Sequence, residues 1–350
     1  MESSAMSVNS QRADIIGSAR FLWFELAGRC NFECIHCYAE SSPRKDHGNV
    51  SSSRWHELLV EAQQLKVEHI QFIGGEPTLH PSFSDLICHS HRLGLGIEVY
   101  TNLAVLSEHT LKLYEANDVS IATSFYSIDP DVTARMTRRD WAHKQIVANI
   151  MWLLECGIPL RVGIIKNQQD EDVTPTINFL RSLGVKHFRE DAVRAVGRGG
   201  LNVLQPRPRD RRDDLCGACA NGNAAITPSG DVYPCVFSRW LPIGNINERS
   251  LAEVLHGDLM ESVGRDLRAF FSLRAEAVRS SAPEEAQCHP YCAPQCSPTC
   301  SPSCSPSCSP SCSPSCSPSC SPNCTPSCSP NCTPTCHPVC SPGQCHPVRP

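Results

Sequence analysis

The sequence predicts an α/β fold with a parallel sheet, and three observations predict it. Short apolar runs alternate with longer stretches of helical spacing five or six times between Phe21 and Asp191. Each run ends in polar, glycine or cysteine residues, as strands do at the functional rim of such folds. Everything that breaks this rhythm lies further along the chain. Strand followed by helix, repeated, implies parallel strands joined by helical crossovers. About six units suit an incomplete (β/α)6 barrel, with an open doubly wound sheet as the alternative.

The elements follow in order. Phe21–Leu26, His69–Ile73, Ile97–Thr101, Val119–Ser124, Leu160–Ile165 and His187–Asp191 read as buried strands. Between them, Ser53–Leu65, Phe83–Leu93, Glu108–Ala116, His143–Cys156 and Val173–Leu183 place apolar residues on one helical face. Gln205 to Asp214 is charged and proline-bearing, with mixed signs, and reads as a solvated linker. Beyond it, Pro228-Ser-Gly-Asp231 is turn chemistry between short strands at Ala224–Thr227 and Val232–Tyr233, and a helix starts at Ser250. The predicted organisation is an N-terminal segment 1–19, a barrel 20–204, a linker 205–215, a small domain 216–287 and a tail 288–350.

A net charge of −5 argues against wholesale nucleic-acid coating. No apolar run reaches the ~20 residues that span a bilayer. The first twenty residues hold no signal-peptide core, so a cytoplasmic chain with reduced thiols is expected, and such thiols point to metal. Of 23 cysteines, only Cys30, Cys34, Cys37, Cys88, Cys156, Cys216, Cys219 and Cys235 precede residue 288. Cys88 and Cys156 sit on predicted helices and read as core residues.

The loop after the first strand holds Cys30-x3-Cys34-x2-Cys37, and the loop after the second holds Gly74-Gly75-Glu76-Pro77. Three thiols cannot close a four-thiolate site. An iron–sulfur cluster held by three leaves one iron open for a ligand. The alternatives are zinc completed by His36 or His47, or three cysteines without a ligand role.

The cysteine spacing, Tyr38 after the last cysteine and Gly-Gly-Glu-Pro one βα unit later together resemble the radical S-adenosylmethionine (SAM) enzymes, over roughly Phe21 to Gly200. The resemblance implies that Cys30, Cys34 and Cys37 hold a [4Fe–4S] cluster whose open iron chelates SAM. It implies that Gly74, Gly75 and Glu76 receive the methionine amino group, and that Ser124 stands where the ribose is contacted. Glycines permit close backbone approach, and a carboxylate suits an ammonium. Thr101, Asn102, Arg161, Lys166 and Asn167 are further candidates for contact with SAM. No residue is identified as the acid, base or radical quencher at the substrate.

Cys216, Cys219 and Cys235, with the last two flanking the hairpin, resemble the SPASM or twitch extension of radical SAM enzymes that modify peptides. That implies an auxiliary iron–sulfur cluster, with zinc in the hairpin site as the alternative. The departure from that family is the end of the chain. From Cys288 to Cys340 every fourth residue is cysteine, in a Cys-Ser-Pro-Ser repeat whose prolines exclude helix and sheet. Cys288, Cys292 and Cys296 supply missing cluster ligands in this reading. The remaining repeat is a solvated low-complexity tail, a soft-metal binder or a peptide substrate fused in cis.

The expected function is reductive cleavage of SAM to a 5′-deoxyadenosyl radical that abstracts hydrogen from a peptide or peptide-derived natural product. A small-molecule substrate such as an amino sugar or alcohol, and a non-catalytic metal-binding or scaffold role, are the alternatives. A low-potential donor such as a flavodoxin or ferredoxin is the expected partner. No cobalamin-type domain is evident.

Overall fold

The computed structural model describes residues 20–166, 172–202 and 210–281. The expectations for the N-terminal segment, Asn167, residues 205–209 of the linker and the repeat from Cys288, including Cys292 and Cys296, lie outside the described residues.

Six parallel strands carry the barrel: β1 (Phe21–Glu25), β2 (His69–Ile73), β3 (Gly96–Tyr100), β4 (Ser120–Phe125), β5 (Leu160–Lys166) and β6 (His187–Ala192). The crossovers are α1 (Ser52–Gln64), α2 (Phe83–Arg92), α3 (Glu108–Ala116), the pair α4 (Pro130–Thr137) and α5 (Ala142–Glu155), and α6 (Thr174–Ser182). After the short α7 (Gly199–Asn202) come β7 (Asn223–Ile226), β8 (Asp231–Tyr233), β9 (Gly244–Asn245), α8 (Leu251–Leu255) and α9 (Asp258–Ser281). Ser51 and Ser107 cap α1 and α3 through their hydroxyls, and Ser250 with Glu253 forms a capping box on α8.

The strand order is β6-β5-β4-β3-β2-β1-β7-β8-β9. Each barrel strand lies beside its sequence neighbour and the order never reverses, which excludes a doubly wound sheet. The first and last strands of the row are both edges, so the barrel is partial, as expected. Strand β7 continues the sheet by pairing parallel to β1, with Phe24 opposite both Phe72 and Ile226. Alternation along the strands turns Leu22, Phe24, Ile70, Phe72, Ile97, Val99 and Ile121 toward the helices, where Phe24 meets Trp55 of α1 at 5.2 Å between rings. The opposite face is polar: Arg161 grips Glu98 with two bonds of 2.6 and 2.7 Å, and Glu98 also accepts from Gln71.

Two expectations change. Cys156 is the exposed C-cap of α5 rather than a core residue, because the helix turns out of the core at its last residue. Helix α4 was not expected; Val132 and Met136 give it too short an apolar face to register a period. The described residues up to Ala269 pack as one compact unit. From Phe270 only the remainder of α9 is described, with the Phe270 and Phe271 rings 5.2 Å apart. Among the described residues no helix is long and apolar enough to cross a membrane.

Candidate active site

The loop that leaves β1 is held at several points, which fixes its thiols. Cys30 N–H donates to Ser42 O (3.1 Å) and Cys37 N–H to Cys34 O (3.3 Å). From outside, Glu33 and Ile35 donate to Thr137 O and Met136 O at the end of α4, so the unexpected helix serves to buttress the cysteine loop. From the other side, Arg198 donates from its backbone to Cys37 O (3.0 Å) and from its guanidinium to Cys34 O and Ser41 O (2.7 Å each). Gly197 passes so close, with φ +57°, that a Cβ there would lie 2.3 Å from Tyr38 O.

The Gly-Gly-Glu-Pro loop locks onto the same segment. Gly75 N–H donates to Ala27 O (2.6 Å) and Glu76 N–H to Arg29 O (2.9 Å). A Cβ on Gly75 would stand 2.2 Å from Arg29 O, and one on Gly74 (φ +136°) 2.8 Å from Ala27 O. Both glycines are therefore required by the approach of two backbones.

Glu76 is buried and meets four donors. Its Oε1 accepts from Thr78 Oγ1 (2.7 Å), Thr78 N (3.3 Å) and Thr101 Oγ1 (2.8 Å), and its Oε2 from Asn102 N (2.9 Å). Among the described residues no Lys, Arg or His pairs with it. Burial pushes its pKa up, against these hydrogen bonds.

Burial likewise raises the Cys30 thiol, with the Glu76 charge adding to it, and pushes Cys34 up to about 12. Each sulfur nevertheless has a donor nearby. Cys30 Sγ accepts from Phe32 N (3.4 Å) and Asn102 Nδ2 (3.5 Å), Cys37 Sγ from Ser41 N (3.4 Å), and Cys34 has the Tyr126 hydroxyl. The His36 ring stands edge-on to Tyr126 at 5.2 Å, and burial lowers its pKa to about 4. The His47 ring faces His80 at 5.5 Å. No three His, Cys, Asp or Glu side chains among the described residues gather as one metal ion requires.

Other sequence candidates separate cleanly. Thr101 and Asn102 join the site through Glu76. Ser124 Oγ lies 3.1 Å from Tyr100 Oη at the end of β4, on the polar face. Arg161 is bound to Glu98, and Lys166 pairs with Glu190 at 3.3 Å.

The hairpin thiols form a second group. Cys219 Sγ and Cys235 Sγ are 3.0 Å apart. Cys219 also bonds Cys216, which lowers the Cys216 pKa to about 5 and raises that of Cys219. Tyr38 joins the two groups: its ring meets Phe237 edge-on at 5.3 Å and lies beneath the Arg239 guanidinium at 5.2 Å. Arg239 reaches the buried Glu25 of β1 at 2.6 Å. The sequence assigned no role to Arg198, Tyr126 or the Glu25–Arg239 pair, whose partners lie far away along the chain.

Comparison with known proteins matches two domains to the chain. Residues 24–180 match the radical SAM superfamily, and residues 213–297 match SPASM, an iron–sulfur cluster-binding domain. The chain is 23% identical over 277 residues to a PqqA peptide cyclase of Streptomyces rochei, covering 68% of this chain and 76% of that one. It is 24% identical to the antilisterial bacteriocin subtilosin biosynthesis protein AlbA of Bacillus subtilis, over 76% of this chain and 65% of that one. Among solved structures, Streptococcus suis SuiB bound to its precursor peptide SuiA superposes with a TM-score of 0.61 at 15% identity, over 73% of this chain and 69% of that one. A [4Fe–4S] cluster, SAM and auxiliary iron–sulfur chemistry come with these two domains. The chain carries a radical SAM domain followed by a SPASM domain.

Proposed function

We propose that the protein is a peptide-modifying enzyme in which Cys30, Cys34 and Cys37 ligate the [4Fe–4S] cluster and the Gly74-Gly75-Glu76 loop takes the methionine end of SAM. The observation that carries this reading is Glu76. A buried carboxylate ordinarily has a cationic partner, and this one has four neutral donors and none among the described residues. A ligand ammonium is the missing charge.

The thiols fit the cluster by their chemistry. Buried cysteines are protonated on their own, whereas coordination deprotonates a thiol, and the N–H groups facing Cys30 and Cys37 suit anionic sulfur. A cubane spreads its irons over separate corners, so its ligands need not crowd around one point as zinc ligands at ~2.3 Å do. When bound, the cluster and SAM supply one-electron cleavage of the sulfonium, yielding the radical that takes hydrogen from substrate.

In this reading Arg198 and the end of α4 hold the cysteine loop shut around its thiols, and Ser124 is placed for the ribose. Cys216, Cys219 and Cys235 hold the auxiliary cluster, with further ligands from Cys288, Cys292 and Cys296, which fall inside the matched SPASM span. A peptide substrate is supported by relatives named for peptide cyclisation and bacteriocin maturation. A flavodoxin or ferredoxin supplies the electron.

Anaerobic reconstitution with dithionite tests the reading. The expected results are SAM-derived deoxyadenosine and a mass loss of two per new cross-link in a candidate precursor peptide. Changing Cys30, Cys34 and Cys37 together to alanine should abolish both. Deoxyadenosine formation by that variant would overturn the assignment, and intact SAM cleavage with no peptide modified would turn the substrate toward a small molecule.

A further inference from the structure

We infer that Asn102 is a positioning residue that sets the reduction potential of the cluster, by holding Cys30 and donating a hydrogen bond to its sulfur. The inference rests on the assignment of Cys30 as a cluster ligand.

Asn102 is the one described side chain that bonds both to the Cys30 sulfur and to the loop residue beside it. Its Nδ2 lies 2.6 Å from Asn31 Oδ1 and 3.5 Å from Cys30 Sγ, so the two amide hydrogens have one acceptor each. The amide orientation is not arbitrary. Its Oδ1 accepts from Ala104 N at 2.8 Å, and a flip would set oxygen against Asn31 Oδ1 and against the sulfur while leaving that N–H unmet. The side chain is therefore held as a donor toward the cysteine.

The backbone extends the link. Asn102 N–H donates to Glu76 Oε2 at 2.9 Å, so one residue touches both the proposed cluster ligand and the carboxylate proposed for the SAM ammonium. The following residue, Leu103, adopts φ +52° and is fully buried, with its carbonyl taken by Asn149 Nδ2 at 2.7 Å. A left-handed conformation is costly for a leucine, and it fixes the turn that aims the Asn102 amide.

Hydrogen bonds to cluster sulfurs stabilise the reduced, more negative state and raise the potential. Removing this donor should make reduction harder. Asn102→Ala deletes the amide. Asn102→Asp keeps an oxygen for Ala104 N but has no donor, and it adds a negative charge beside the sulfur.

The test is a redox titration of the full-length, anaerobically reconstituted protein, followed by electron paramagnetic resonance. The loop cluster is the reduced signal that changes when SAM is added. Both variants should shift the reduction equilibrium about tenfold toward the oxidised state, a drop of about 59 mV for one electron, with Asp the larger. Thr78→Val, which loses its hydroxyl bond to Glu76 but touches neither a sulfur nor the Leu103 turn, should leave the potential in place. Loss of iron from both Asn102 variants with an unchanged circular dichroism spectrum would also support the holding role. An unchanged potential, an equal shift in Thr78→Val, or unfolding of both Asn102 variants would overturn the inference. A wild-type protein with no SAM-responsive signal would instead defeat the cluster assignment beneath it.

Discussion

Buried among neutral donors, Glu76 is destabilised when ionised, and that has two measurable consequences. Its folded-state pKa is raised by burial, so its contribution to the stability of the SAM-free protein is most favourable below the ordinary glutamate value of about 4.3 and declines as pH rises toward the folded-state value. Melts of metal-free protein at about pH 5 and about pH 8 should show wild type losing more stability across this window than Glu76→Gln. The same substitution replaces a charge-assisted bond, worth about 1.5–3 kcal/mol, by a neutral one. Its SAM dissociation constant should therefore rise about tenfold or more, with iron content unchanged; an unaltered constant would mean that Glu76 does not meet the ammonium. Gly75→Ala should act differently, because its Cβ would press on Arg29 O at 2.2 Å. Overpacking of this kind costs about 1–3 kcal/mol, to be seen as a lower melting temperature together with reduced iron loading. The cysteines, glycines and Glu76 were legible as residue types at fixed spacing. Asn102 was only one candidate among several, since its value lies in four partners spread over three loops.

At the scale of elements, the hairpin domain is tied to the barrel by side chains that cross between them. Arg239 binds Glu25 of β1, whose side chain is only 1% exposed, and Arg54 of α1 donates to Ile246 O at 3.0 Å and pairs with Glu57 and Glu61. Breaking a buried pair by removing one partner costs about 3–5 kcal/mol; the partial exposure of Arg239 favours the low end. Arg239→Met should lower stability by about 3 kcal/mol in denaturant melts, and the double variant Glu25→Leu, Arg239→Met should recover most of it. Burial already raises the Glu25 pKa, with Arg239 opposing it, so the single variant should lose further stability as pH rises above about 5. Recovery that fails in the double variant would assign the loss to packing of Arg239 on Tyr38 instead. The barrel strands and most helices were readable from periodicity to within a residue or so at each end. Helix α4 was not, although Asp129-Pro130 is a helix-start signal, because eight residues give too few turns for a period to show.

Over the whole molecule, the sheet runs without a break from the barrel into the hairpin, so β1 is an interior strand flanked by β2 and β7. Cutting the chain after residue 204 would leave the backbone of β1 unpaired along an apolar edge, a template for aggregation. That fragment should be insoluble or aggregate on concentration, as size-exclusion chromatography would reveal, whereas a well-behaved monomer would show that the hairpin is dispensable to the barrel. A cut after Ser297 keeps the whole matched SPASM span and removes twelve repeat cysteines. It should retain full iron and sulfide content and SAM cleavage, because the removed segment has almost no apolar residues with which to stabilise a core; loss of a whole cluster would place ligands further along the repeat. By itself the sequence determined the alternation of strands and helices, the loop thiols, the glycine loop and the hairpin cysteines, because each is encoded in residues close together along the chain. Tertiary structure decided that the strand order never reverses, that β7 adds to β1, that α4 and Arg198 brace the cysteine loop, and that Asn102 links Cys30 to Glu76. Those depend on contacts between residues tens to hundreds of positions apart, whose closeness is set by packing and by the satisfaction of buried polar groups, and no local pattern carries that information.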